Sequence, residues 1–176
     1  MKWEKLILRI LKIRPFDQEK PFLQYRIRKY RGANLTFSNG SVISKDDLIV
    51  ELHLNNEQLL EMAANSRSDI QLAIKIVRGV EELLPKIAMM MKEKTGQEVK
   101  ALYGITMIYR GTEQLGFHVV SLPKGVFSFF TCIYLRFLLS VLHVQGKKRL
   151  QKKRELLVPK IIVMPVTQLN QRYQQG

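Results

Sequence analysis

At 176 residues, with 46% apolar and 25% charged residues, the chain has the size and composition of one globular domain with a real core, which excludes a disordered polymer. The 29 Lys and Arg against 15 Asp and Glu give a net charge of +14, which favours polyanionic partners such as lipid headgroups, nucleic acid or acidic glycans. A lone cysteine, Cys132, excludes an internal disulfide and suits a reducing compartment.

Residues 1–14, within "MKWEKLILRILKIRP", are predicted to form a basic amphipathic helix. Trp3, Leu6, Ile7, Ile10 and Leu11 follow helical spacing, Lys2, Lys5, Arg9 and Lys12 fall on the other side, and Pro15 ends the pattern. Lys2, Trp3, Lys5, Arg9 and Lys12 are therefore the candidate membrane-binding residues, suited to an anionic bilayer surface. The same pattern also describes a surface helix packed on its own domain. Lys5, Arg9 and Lys12 interrupt the apolar run of about 7–15 residues that a secretion signal requires, so the expected location is cytoplasmic, peripheral at the inner face of the cell membrane. Two further basic clusters follow, "QYRIRKYR" at 24–31 and "KKRLQKKR" at 147–154.

From residue 20 to 176 the chain reads as a single α+β domain, a small and mostly antiparallel sheet packed against helices. In "FLQYRIRKY", Leu23, Tyr25 and Ile27 alternate with Gln24, Arg26 and Arg28. "NLTFSNGSVI" is a hairpin in which Asn39-Gly40 is expected to supply positive φ angles. "DLIVELHLNN" alternates Leu48, Val50, Leu52 and Leu54 against Ile49, Glu51, His53 and Asn55, predicting one greasy and one charged sheet face.

Asn55 or Asn56 caps the next helix, with Leu59, Leu60 and Met62 inward. Ser68 and Gln71 make a capping box that opens a longer helix. Its expected core stripe is Ile70, Ala73, Ile74, Val77, Val80, Leu84, Ile87 and Met91. "VKALYGITMIY" is a buried strand with Gly104 at a close backbone approach. "RGTEQLGF" is a short helix stopped by Gly116, and "FHVVSL" is the returning strand. The apolar segment 125–143 approaches spanning length. Arg136 near its centre would cost roughly 2.5–3.5 kcal/mol on insertion, which predicts a buried or interfacial helix instead. "KIIVMP" is a last strand, and "VTQLNQRYQQG" a closing polar helix or tail.

Strand alternation puts Glu51, His53 and Asn55 on one face, with Arg26 and Arg28 facing the same way if their strand pairs alongside. A histidine beside a carboxylate can act as a general base, and arginines can hold an anion. These five residues form the candidate ligand-binding site. The catalytic residues are not identified: the chain has no G-x-S-x-G, no Walker loop, no zinc-spaced His/Cys cluster and no glycosidase-like carboxylate pair. No cofactor and no metal are expected.

The stretches "YRGANLTFSNGSVISKDDLIVELHLNNEQLL" and "YGITMIYRGTEQLGFHVVSLP", followed by an apolar helix reaching "LLSVLH", resemble the YkoP-like domain family of Gram-positive bacteria over about residues 22–175. Tyr30-Arg31-Gly32, the turn before Val42-Ile43, His53-Leu54-Asn55 and Leu115-Gly116-Phe117 carry the resemblance. Asn39 stands where the family usually has aspartate, and Val144 where it has proline. The resemblance implies a domain sometimes attached to polysaccharide deacetylases, hence a tie to envelope glycans, and it implies no known active site.

Three functions compete. The first is a non-catalytic module at the inner membrane surface that assists synthesis or modification of envelope polysaccharide, with the anionic membrane and envelope glycan enzymes as partners. The second is an acyltransferase-like enzyme acting on envelope precursors, because "YRGTEQLGFHVV" resembles the helix-then-strand of GNAT-type acetyltransferases. That family's pyrophosphate-binding loop is absent here. The third is nucleic-acid binding, ranked last because no helix-turn-helix, RNP or zinc signature accompanies the basic clusters.

Overall fold

A computed structural model of the chain describes residues 13–18, 21–94, 98–123 and 158–174. Residues 1–12 of the expected amphipathic helix, the apolar 125–143 segment and the 147–154 basic run lie outside the described residues. At the far end of that expected helix Arg14 is not helical. Arg14–Pro15 form strand β1, with Arg14 opposite Tyr25.

The remaining elements are β2 (Leu23–Lys29), β3 (Leu35–Thr36), β4 (Val42–Ile43), β5 (Leu48–Leu54), α1 (Asn56–Ala64), α2 (Asp69–Lys94), β6 (Val99–Thr106), β7 (His118–Ser121), β8 (Lys160–Pro165) and α3 (Val166–Tyr173), with one 3-10 turn at Thr112–Leu115. Six strands form one sheet in the order β1-β2-β5-β6-β8-β7, and β3 and β4 form a separate hairpin. The fold is α+β, as the alternation predicted. All pairs in the large sheet are antiparallel except β5 with β6. That parallel pairing is possible because the chain crosses over through α1 and α2 between them.

Local chemistry explains the element boundaries. Asn55 caps α1, its Oδ1 accepting from the backbone N–H of Glu57 at 2.9 Å and of Gln58 at 3.3 Å. At the start of α2, Ser68 Oγ accepts from Gln71 N at 3.2 Å. The return bond goes one residue further than in a standard capping box, from Arg67 N to Gln71 Oε1 at 2.7 Å. In the β3–β4 turn only Gly40 has a positive φ (81°), so Asn39 does not share that role. Asn39 contributes its side chain instead, with Oδ1 accepting from Ser41 N at 3.0 Å. The tight approach at Gly104 is real: a Cβ there would lie 3.2 Å from Ile162 on the neighbouring strand.

The stripe expected along α2 holds for Leu84, Ile87 and Met91, and for Val77 and Val80, which pack against the core partly buried, and fails at Ile70 and Ile74. Ile70 and Ile74 are exposed, at 73% and 48%, while Leu72 and Ile76 are buried. α2 carries two adjacent apolar stripes there, and the sheet takes the one that meets Leu59 and Phe22. Leu60, expected inward, is likewise on the outside of α1.

The sheet is covered on both sides. Between it and the helices lies the larger core, with Val50, Leu52, Leu102 and Met164 from the strands and Leu72, Ile76, Leu84 and Leu169 from the helices. On the opposite face a second core joins Ile49, Ala101, Tyr103, Ile161 and Val163 to Tyr30, Phe37 and Ile43. The face read as charged is therefore a second interior around a polar cluster: the short hairpin and the Tyr30 segment cover part of it, and alternation cannot show such long-range cover.

Truncation distinguishes the two stripes of α2. Ile76→Ala should destabilise by about 2–4 kcal/mol, as core truncations do, whereas Ile70→Ala should stay within about 0.5 kcal/mol. Denaturant unfolding of both variants checks the assignment; equal costs would contradict it.

Candidate functional site

The polar cluster sits where β2 and β5 pair. Their register sets Gln24 opposite His53 and Arg26 opposite Glu51, so Gln24, Arg26 and Arg28 share a face with Glu51 and His53. Directly across on β6, Glu51 is in register with Tyr103. The structure thus brings together four of the five residues expected from the sequence. The fifth, Asn55, is taken by the helix cap and does not join them.

Glu51 is the centre of the cluster and is buried, with its side chain 10% exposed. Arg28 grips it with two bonds, Nε to Oε2 at 2.8 Å and Nη2 to Oε1 at 3.0 Å. Arg26 Nε donates to Oε2 as well. This is the fork geometry that makes arginine–carboxylate pairs strong. Arg28 is fixed further by Nη1 donating to Lys29 O at 3.0 Å, and its guanidinium lies 5.4 Å from the centre of the Tyr103 ring.

The electrostatics follow from burial and these partners. Desolvation pushes the Glu51 carboxyl up, but the neighbouring His53 ring, Arg28 and Arg26 outweigh it and hold the carboxyl well below the usual carboxylate range. Burial pushes the Tyr103 hydroxyl up to about 12 and also raises that of Tyr30, against the charge of Arg28. Both phenols stay neutral at ordinary pH. Tyr30 donates to Ala33 O at 2.8 Å.

His53 is the residue on which a catalytic reading would rest. Its Nε2 is 3.4 Å from Glu51 Oε2, yet that buried nitrogen has no hydrogen-bond partner. A carboxylate that activates a histidine accepts a hydrogen bond from the ring and stabilises the imidazolium that forms. Both oxygens of Glu51 are occupied by arginines. The pair is therefore poorly built for general base catalysis.

The segment that resembles acetyltransferases offers no alternative centre. Thr112–Leu115 is a single 3-10 turn between Gly111 and Gly116, too short to present the helix N-terminus that a pyrophosphate would need. His118 is engaged, with Nε2 2.9 Å from Gln168 Oε1 and its ring 4.7 Å from that of Phe37. Among the described residues no three His, Cys, Asp or Glu side chains gather where they could hold a metal. Among the same residues no helix is long and apolar enough to cross a membrane. The candidate membrane-binding residues Lys2, Trp3, Lys5, Arg9 and Lys12 lie outside them.

Gln24 and Tyr103 were missed as members of the site. Gln24 was visible in principle, since it alternates with Arg26 and Arg28. Tyr103 was not, because nothing local reveals that 99–106 lies beside 48–54.

Comparison with known proteins adds the family. A family model described as the YkoP domain matches residues 1–173. The "Uncharacterized protein YkoP" of Bacillus subtilis (strain 168) is 30% identical over 106 residues, which span 60% of this chain and 58% of that protein. No solved structure matches.

Removing the buried anion should be costly, and the cost should depend on pH in a fixed direction. Glu51→Gln leaves two partly buried arginines without their charge partner and should destabilise by about 3 kcal/mol at neutral pH. Because the folded carboxyl titrates below the unfolded one, its contribution is complete above the unfolded value of about 4.3 and fades as pH falls below it. Thermal unfolding from pH 7 to 3 should show the wild type converging on the variant. A gap as wide at pH 3 as at pH 7 would contradict the assignment. His53→Ala removes one of the groups that hold the Glu51 carboxyl low and should cost less than Glu51→Gln, about 1 kcal/mol.

Proposed function

We propose, for a chain that belongs to the YkoP domain family, a non-catalytic accessory module that docks on the anionic inner surface of the membrane and serves enzymes of envelope polysaccharide synthesis or modification. The observation that carries it is the placement of charge. Residues 1–12 hold four basic and one acidic residue, and residues 124–157 hold eight basic and one acidic. Together they supply +10 of the net +14, so the α+β body described above is close to balanced. Each Lys or Arg near an anionic bilayer contributes about 1 kcal/mol, enough for two basic segments to hold a balanced body at a surface. The saturated Glu51 carboxylate supports a binding module over an enzyme. The envelope connection rests on the resemblance to domains that accompany polysaccharide deacetylases.

Vesicle sedimentation tests the docking. The full chain should pellet with vesicles containing phosphatidylglycerol, release as salt is raised, and stay in solution with neutral vesicles. Replacing Lys2, Lys5, Arg9 and Lys12 together with glutamine should weaken pelleting at least tenfold. Equal binding to neutral vesicles would overturn the reading, as would indifference to the four substitutions. Alkaline carbonate should strip the protein from cell membranes; retention in the pellet would mean a spanning segment.

A further inference from the structure

The cluster around Glu51 has more hydrogen-bond donors than acceptors, and the surplus points one way. Arg28 is fully used: Nε and Nη2 go to Glu51 and Nη1 to Lys29 O. Arg26 commits only its Nε to the carboxylate; among the described residues its two terminal nitrogens have no hydrogen-bond partner. Next to it on the same face, Gln24 is 9% exposed, and its side-chain amide makes no hydrogen bond among the described residues. Opposite Gln24, His53 keeps a buried Nε2 without a partner.

Of the three, His53 Nε2 is the buried atom without a hydrogen-bond partner, an uncommon state that costs about 1–3 kcal/mol. The spare Arg26 nitrogens beside it lie on a side chain open to water. The deficit is of acceptors. Glu51, the cluster's one anion, is already shared, and Arg26, Arg28 and Glu51 together leave one positive charge. The Arg26 and His53 side chains, 24% and 32% exposed, open the cluster to solvent. An occupant must therefore be anionic and rich in acceptor oxygens. Arginine's planar fork fits both carboxylate and phosphate. Approach from Arg26, Gln24 and His53, which occupy two strands, suits a tetrahedral group with several oxygens better than a flat carboxylate with two.

We propose that Gln24, Arg26 and His53 form a binding site for a phosphate group, with Glu51 and Arg28 as the fixed pair that orients Arg26. This goes beyond membrane docking by the basic segments and does not depend on it. The phosphate can belong to a lipid headgroup or to a soluble phosphate ester.

Thermal unfolding of the full chain against rising inorganic phosphate, with ionic strength matched by sodium chloride, tests the site. Phosphate should raise the midpoint saturably beyond the chloride control. Gln24→Leu, which leaves the ion pair intact, should raise the half-saturating concentration about tenfold, the usual loss for a hydrogen bond to a charged group. Arg26→Gln should do the same or more, and Arg67→Gln, on the exposed connection before α2, should leave it unchanged. No saturable phosphate effect, or the same effect in wild type and Gln24→Leu, would overturn the proposal. Sedimentation with phosphatidylglycerol vesicles separates the sources. Weaker pelleting of Arg26→Gln than of Arg67→Gln assigns the phosphate to a lipid headgroup. Equal pelleting, with the phosphate response still lost, assigns it to a soluble ester. Failure of the wild type to pellet at all would overturn membrane docking and leave the phosphate response standing.

Discussion

A carboxylate in the middle of a strand that is covered on both sides constrains much of this structure. Ile49 and Val50, on opposite faces of β5, are both fully buried, so Glu51 cannot turn to either side for water. An isolated charge in that position would cost several kcal/mol. Arg28 and Arg26 offset the cost, and they can do so only in the register that sets Arg26 opposite Glu51. A slip of one residue would turn both arginines into the helix-covered core and Ile27 toward the carboxylate. The ion cluster thus selects the pairing of β2 with β5 as well as tolerating it.

From that pair the rest of the sheet follows outward. β5 is joined to β6 through two helices, the long crossover that a parallel pair needs, which lays α1 and α2 over one face. β8 then adds antiparallel to β6, and its own continuation, α3, returns to the helical side with Leu169 fully buried. The other face has no such long helical cover among the described residues. The Tyr30 segment and the small hairpin, with Phe37 and Ile43, close part of it. The polar cluster survives inside because it supplies its own counter-charges.

Charge is therefore handled in two ways in one chain. Inside, each charge of the Glu51–Arg28 pair has a partner, which fixes geometry; in the basic segments, cations gather in excess, which attracts polyanions without specifying one. Under the function proposed above, the basic segments would recognise a surface by its overall potential, and the cluster would recognise a particular chemical group by a few positioned donors. The two kinds of recognition respond differently to salt, the first strongly and the second weakly.

Much of the architecture was legible locally. Alternation marked β2 and β5, and apolar runs marked β6 and β8; Asn55 and Ser68 announced the starts of α1 and α2; Gly40 and Gly116 marked turns that adopt positive φ. These signals are written within a few residues of where they act, so the sequence by itself determined these elements, their order and which strand side chains share a face. It also placed Arg26, Arg28, Glu51 and His53 together, because two adjacent antiparallel strands are the simplest reading of that pattern. The tertiary structure decided what alternation cannot encode. Burial of the charged face depends on Phe37, Ile43 and Tyr103, which reach it from elsewhere in the chain. The choice between the Ile70/Ile74 and Leu72/Ile76 stripes depends on which one meets the sheet. Asn55 was lost to the site because a helix cap has first claim on its side chain. A local pattern offers faces; only long-range packing determines which of them is covered, and so whether a polar residue is solvated, structural or open to a ligand.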